Sequence, residues 1–290
     1  MKTFLLGLGA QKAGTTWMHR QLQSNANTSM GFVKEYHILD TLTLPHMTGM
    51  LRKRQRDLPD LPPKADHQTL LDHLSSREFL WLSLYSRPGA YYDYFASLLE
   101  PDGIDLTGDI TPSYSGLAVD TLVRVQDEFA RRNIKVKCIF LMRDPVERLW
   151  SAVRMRRNEL RARKPDRKLA PGEDRAMLKD MDSDDARLRG NYHNTLQALS
   201  KAFDPADCFV GFYETFVSDP GEWQRFTDML GVGLAMPDYG RRQNATAKNT
   251  ALAEDTIRSV ASSYRDSYDY VRRHFPDFDI DSHWPSSRYL

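Results

Sequence analysis

The first stretch of the chain is an uncharged apolar run, Thr3 to Gly9, which predicts a short buried strand over 3–9. A polar turn, Ala10-Gln11-Lys12-Ala13-Gly14, follows, and Thr15 to Leu22 then reads as a helix. The same alternation recurs further on. Val136 to Met142 predicts a second strand and is followed by Arg143-Asp144-Pro145-Val146-Glu147. There Asp144 suits an N-cap, Pro145 the first helical position and Glu147 the third, so a helix is expected from Pro145 to about Asn158. Cys208 to Tyr213 predicts a third strand, and Asp219-Pro220-Gly221-Glu222 opens a helix by the same capping logic. Strands alternating with helices point to an α/β fold, with a central, mainly parallel sheet flanked by helices in a single domain spanning 1–290.

Two stretches break the alternation. Residues 47–75 are mostly polar, with Pro59, Pro62 and Pro63 as breakers, and are expected as an irregular excursion or lid. Residues 154–189 are dense in both charge signs and are expected as a solvated helical face and loop, with a contribution to acceptor binding as the alternative. Near the end, Val271, Phe275, Phe278 and Trp284 are spaced as apolar anchors of a tail packed on the core.

Composition narrows the function classes. The 290 residues carry 40 Lys plus Arg against 39 Asp plus Glu, a net charge of +1, so no global basic field points to nucleic acid and any anion site must be local. The N-terminal apolar run is short for a signal peptide, and no run approaches a membrane span. Cys138 and Cys208 both sit in strand-like apolar stretches and are expected as reduced core residues. The default localisation is cytoplasmic.

The turn after the first strand carries the strongest chemical signal. Gly9-Ala10-Gln11-Lys12-Ala13-Gly14-Thr15-Thr16 has the glycine spacing of a P-loop, but Thr15 stands where a Walker loop puts its lysine. Backbone N–H groups from Lys12 through Thr16 and the helix N-terminus still suit a phosphate, with Lys12 approaching from the turn. No Asp is placed after a strand to hold Mg²⁺, since Asp144 serves better as a cap, so a nucleotide used without a metal is expected.

This P-loop-like turn resembles the 5′-phosphosulfate loop of sulfotransferases that use 3′-phosphoadenosine 5′-phosphosulfate (PAPS), whose signature is Lys-x-Gly-Thr-Thr-Trp. The resemblance assigns Lys12 to the phosphosulfate and its leaving oxygen, Thr15 and Thr16 (with Ala13 and Gly14 in the loop) to the 5′-phosphate, and Trp17 to the adenine. A structural turn with a core Trp is the plain alternative. The run Arg143-Asp144-Pro145-Val146-Glu147-Arg148-Leu149-Trp150-Ser151 resembles the family's site for the 3′-phosphate, assigning Arg143 and Ser151 to that group. Arg is suited to phosphate by its fork of donors; Arg148 is read as a phosphate contact or a structural ion-pair partner. The late polar loop with Arg241, Arg242, Gln243, Asn244 and Lys248 is read as closing over the nucleotide, or as an ordinary solvated loop, since it lacks the family's usual basic-glycine runs.

Lys34-Glu35-Tyr36-His37-Ile38-Leu39-Asp40 packs four ionisable groups into seven residues. In an extended segment Glu35, His37 and Leu39 would share one face, aiming a carboxylate and an imidazole into one pocket. The run resembles Lys-Glu-x-His-Phe-Phe-Asp of the heparan sulfate sulfotransferase branch, which implies Glu35 as the base, with His37 and Asp40 orienting it or contacting the acceptor. His46 is the rival base, and a satisfied polar strand edge is the plain reading of the cluster. Asp109-Ile110-Thr111-Pro112-Ser113-Tyr114 resembles a family segment beside the acceptor; Ile110 where glycosaminoglycan enzymes often carry Lys argues against a polyanionic acceptor. Gly190-Asn191-Tyr192 and Tyr213-Glu214 with Asp219-Pro220 match further family patterns that read as structural. Tyr91, Phe95 and Leu99, at helical spacing, read as core. The expected function is transfer of a sulfuryl group from PAPS to a small-molecule, lipid-linked or saccharide alcohol or amine, without metal. A P-loop kinase or NTPase and a non-catalytic nucleotide-binding module are the alternatives.

Overall fold

The computed structural model describes residues 2–165, 172–239 and 251–290. Four strands form the sheet: β1 (Thr3–Gly7), β2 (Leu106–Ile110), β3 (Lys135–Met142) and β4 (Cys208–Phe212). All three pairings are parallel and the order is β2-β1-β3-β4. β1 and β2 are buried along their full length, and helices flank the sheet, as the alternation of elements predicts.

β2 is the strand that apolar patterning does not reveal, because Thr107, Gly108 and Asp109 interrupt its run. Gly108 is required by close approach: a Cβ there would lie 2.5 Å from the Leu5 carbonyl oxygen. The strand order places β2 on one side of β1 and β3 on the other. The chain therefore reverses its direction of winding at β1, and the crevice beyond the carboxyl ends of β1 and β3 is a topological switch point, where ligands bind in open α/β sheets.

The capping expectations hold. The Asp144 carboxylate accepts the Val146 N–H at 3.0 Å and opens a helix, Pro145–Arg163, that runs a turn beyond Asn158. Asp219 caps Pro220–Leu230 through the Gly221 N–H. The third strand ends at Phe212, and Tyr213 begins a short helix, Tyr213–Phe216. Residues 47–75, expected as an irregular excursion, hold two helices, Gly49–Arg56 and His67–Leu74, whose ends the prolines mark. The 154–189 stretch is not a uniformly solvated face either: Arg154, Met177 and Ala186 are buried.

The core packs on both sides of the sheet. Phe4 of β1 stacks on Phe129 with ring centroids 4.0 Å apart and meets Phe95 edge-on. Tyr91, Phe95 and Leu99 are buried, as their spacing requires. The C-terminal segment docks as expected: Val271 and Trp284 are fully buried, and Phe278 stacks on Phe212 at 3.5 Å. Cys138 and Cys208 are free thiols side by side across β3 and β4. Among the described residues no helix is long and apolar enough to cross a membrane.

Candidate active site

The loop between β1 and the first helix, α1 (Thr15–Gln23), sits at the switch point. It stays tied to β3: Ala10 N–H donates to the Leu141 carbonyl, and Leu141 N–H donates to Gly9. Lys12 and Gly14 both have positive φ, +68° and +83°. Gly14 is the helix N-cap and has no side chain to offer the first-turn amides. It is also pressed against Tyr213, whose ring carbon would lie 2.9 Å from any Cβ. The amides opening α1 therefore face the crevice without a side-chain cap, which suits an anion.

Arg143, at the end of β3, reaches into the same loop. Its Nη1 donates to the Lys12 carbonyl at 2.9 Å, its guanidinium lies 4.7 Å from the Tyr213 ring centre, and Glu147 pairs with it at 3.4 Å. The Arg143 backbone is held in turn by Tyr192, whose hydroxyl donates to its carbonyl at 2.6 Å. The Lys12 ammonium lies 3.6 Å from the Met155 sulfur. Burial lowers its pKa, and Arg143, Lys34 and Arg154 lower it further, against the attraction of Glu35.

The acid–base cluster adjoins this loop through Lys34. Its ammonium donates to Thr15 Oγ1 at 3.2 Å and pairs with Glu35 at 2.5 Å. Glu35 faces His37 Nε2 at 3.6 Å, while His37 Nδ1 lies 2.7 Å from the fully buried Asp40 carboxylate. Ser113 Oγ joins both His37 and Asp40. A continuous chain thus runs Thr15, Lys34, Glu35, His37, Asp40. Burial opposes the charge of Glu35, yet the bond from His37 and the charge of Lys34 outweigh it and hold its pKa at about 2. His37 is also penalised by burial, but its bonds to Asp40 and Glu35 raise it to about 9. At neutral pH Glu35 is therefore a carboxylate and His37 an imidazolium.

Glu35 and His37 do not share one face of an extended segment, the arrangement that alternation predicts. No strand forms there: His37 has φ +56°, and Leu39 already begins the helix Leu39–Thr43. The left-handed residue folds the imidazole back toward Glu35 instead of alternation placing it there. Three bonds pin this conformation: Thr41 Oγ1 and Tyr85 Oη both donate to the His37 carbonyl, and Tyr36 N–H donates to Thr111 Oγ1. A residue held in a sparsely populated region by its surroundings is typical of functional sites.

Beneath the cluster lies Asp109, fully buried at the end of β2. It accepts from Thr111 (2.6 Å), Tyr114 (2.6 Å) and Tyr91 (3.0 Å), and burial pushes its pKa up to about 6 against those bonds. Asp109 and Thr111 thus act as a scaffold for the Tyr36–His37 backbone.

The remaining predicted residues fall as follows. Ser151 is half-buried on the helix that Arg143 precedes, two turns in. Trp17 is nearly buried, edge-on to Phe216 and Trp223 and against Tyr239. Arg148 donates to the Ala186 carbonyl and the Tyr264 hydroxyl, and has no ion-pair partner among the described residues. His46 is exposed on the Pro45–Met47 turn, outside the chain of bonds around Glu35. Arg241, Arg242, Gln243, Asn244 and Lys248 lie outside the described residues. Among those described, no group of three or more His, Cys, Asp or Glu is placed to hold a metal ion. Arg154, expected as part of a solvated charged stretch, is buried against the Trp150 ring instead, because its charge is lost to view in a run of charges.

No protein-family model matches the chain, and no curated protein matches it in sequence. Solved structures do match. The sulfotransferase from Alicyclobacillus acidocaldarius superposes with a TM-score of 0.53 at 16% identity, over 91% of this chain and 92% of that one. The sulfotransferase domain of the Synechococcus PCC 7002 olefin synthase gives 0.44 at 17% identity, over 91% and 94%. The first likeness shows a shared fold: the chain has the α/β fold, with its central parallel sheet, seen in a bacterial sulfotransferase.

Proposed function

We propose that the chain is a sulfotransferase that moves a sulfuryl group from PAPS to an acceptor hydroxyl or amine. The observation that carries the reading is the convergence of Lys12, Arg143 and Glu35 on one crevice, joined through Lys34 and Thr15. The fold shared with the Alicyclobacillus enzyme supports it.

In this reading the α1 amides and Thr15 and Thr16 receive the 5′-phosphate, and Arg143 and Ser151 receive the 3′-phosphate, which positions the donor. Glu35 removes the acceptor proton as general base. The acceptor oxygen or nitrogen bonds to sulfur as the bond from sulfur to the phosphate oxygen breaks. Lys12 stabilises the charge appearing on that oxygen. The products are the sulfated acceptor and adenosine 3′,5′-bisphosphate (PAP). A carboxylate with a pKa of about 2 is a weak base, so the resting chain of charges has a role. The donor's negative charge draws Lys34 toward the Thr15 side and so raises the basicity of Glu35, against the bond from His37, which is the larger cause of its low pKa.

The test is calorimetric titration with PAP against ADP, without Mg²⁺. A clear preference for PAP that is lost in Arg143→Ala is the expected result. Equal binding of the two nucleotides overturns the reading and returns a kinase or NTPase to the front.

A further inference from the structure

The chain has two cysteines, and the fold sets them against each other. Cys138 lies on β3, Cys208 opens β4 70 residues on, and the two are direct partners in the parallel register. Neighbouring strands lie about 4.8 Å apart, inside the Cα spacing of about 4.4–6.8 Å that a disulfide accepts. The two Sγ atoms are 2.7 Å apart. Charge holds the register at this point as well as the ladder does. Lys137, just before Cys138, pairs with Asp207, just before Cys208, at 2.5 Å, and Lys135 pairs with the same carboxylate at 2.7 Å.

The two thiols are not equivalent. Cys138 is fully buried, and burial, then the bond from Cys208, pushes its pKa up. Cys208 is half-buried on the last strand of the sheet, so a reagent meets it first. One reachable thiol with a second directly behind it is the arrangement of an attacking and a resolving cysteine. Zinc held by thiolates takes four ligands, and among the described residues no further His, Cys, Asp or Glu is placed to complete such a set.

We propose that Cys208 and Cys138 form a thiol–disulfide exchange site, which a low-molecular-weight disulfide such as oxidised glutathione converts to an intrachain disulfide. Cys208 loses its proton to solvent, attacks one sulfur of the oxidant and forms a mixed disulfide, releasing one glutathione thiolate. Cys138 then gives up its proton and attacks Cys208 Sγ, and the second glutathione leaves. The chain loses two protons and two electrons, and the oxidant gains them as two thiols. The bond closes a register that is already formed. It staples β4 to β3 behind Arg143 and Tyr213, which follow the paired Met142 and Phe212. A crosslink between residues so far apart along the chain restricts the unfolded state, so the oxidised form is the more stable one. None of this rests on the sulfotransferase reading.

The experiment incubates the reduced full chain with oxidised glutathione, quenches with acid, alkylates with iodoacetamide in urea and weighs the intact protein. A monomer that carries neither an alkyl group nor glutathione supports the proposal, because the chain has no other cysteine. Its melting temperature is expected about 4–10 °C above that of the reduced chain, and dithiothreitol should abolish the difference. Cys138→Ser has no resolving thiol and is expected to retain one glutathione, on Cys208, whereas Cys208→Ser is expected to retain none. Two alkyl groups on the treated wild type, glutathione retained on it, or a disulfide-linked dimer overturns the proposal. An intrachain disulfide that fails to raise the melting temperature also overturns it, because the thiols are then not paired in this register. More glutathione on Cys208→Ser than on Cys138→Ser overturns it too. Should the serine variants fail to fold, the mass and the melting shift of wild type decide.

Discussion

Lys12 and Glu35 have opposite charges and, in the proposed mechanism, distinct tasks, so their variants should separate. Loss of the group that meets charge on the leaving oxygen costs on the order of 10²–10³ in kcat, and Lys12→Ala is expected to show it in initial rates with PAPS. Glu35→Gln removes the proposed base and is expected to lower kcat by about 10²–10⁴ while PAP affinity stays within about twofold. Near-normal turnover in that variant removes Glu35 from its role. His37 gives a pH signature. Its pKa is raised from 6.5 to about 9, so its contribution to stability is complete below about pH 6.5 and is lost as pH rises through 9. Wild type should therefore lose denaturant resistance between these values more steeply than His37→Gln, and parallel slopes for the two would show that His37 is not charged in the fold. Glu35 works in the other direction: its contribution is present above its ordinary range and fades only as pH falls toward about 2.

At the scale of elements, the Pro145–Arg163 helix carries much of the crevice, and its start depends on Asp144. That carboxylate accepts from Val146 N–H, the Tyr268 hydroxyl and Ser286 N–H. Asp144→Ala removes a cap and strands two further donors, so it is expected to cost about 2–4 kcal/mol, read as a lower urea midpoint. A loss under about 0.5 kcal/mol would show that the cap does not set the helix. This helix, α1 and three of the four strands were legible because each pairs an apolar run with its own cap or turn. β2 was not, since its central Thr107-Gly108-Asp109 is selected by neighbours: a close backbone on one face and a buried hydrogen-bonded carboxylate on the other. Likewise Glu35 and His37 were legible as a cluster, but not the left-handed turn that joins them, which depends on Thr41, Tyr85 and Thr111.

At the scale of the molecule, the C-terminal segment braces the crevice from behind. Trp284 is fully buried and its indole donates to Glu214, which also accepts from the Asp144 N–H beside Arg143. Burial pushes the Glu214 pKa up to about 7. Trp284→Ala opens a large cavity and is expected to cost about 3–5 kcal/mol. Denaturation monitored by circular dichroism checks this, and a loss below about 1 kcal/mol would mean that the tail is not part of the cooperative core.

The sequence alone determined what depends on neighbours along the chain: the apolar runs of β1, β3 and β4, the caps at Asp144 and Asp219, the anion-loop spacing from Gly9 to Thr16, and the crowding of charge from Lys34 to Asp40. Register across the sheet and the burial of charged side chains such as Arg154 lie outside its reach. The tertiary structure alone decided that Arg143 grips the carbonyl of Lys12, that Lys34 bridges Thr15 to Glu35, and that Arg154 is buried against the Trp150 ring. The physical reason is that strand order, set by packing the whole core, brings the ends of β1 and β3 together, and electrostatic partnership follows distance in space rather than position along the chain.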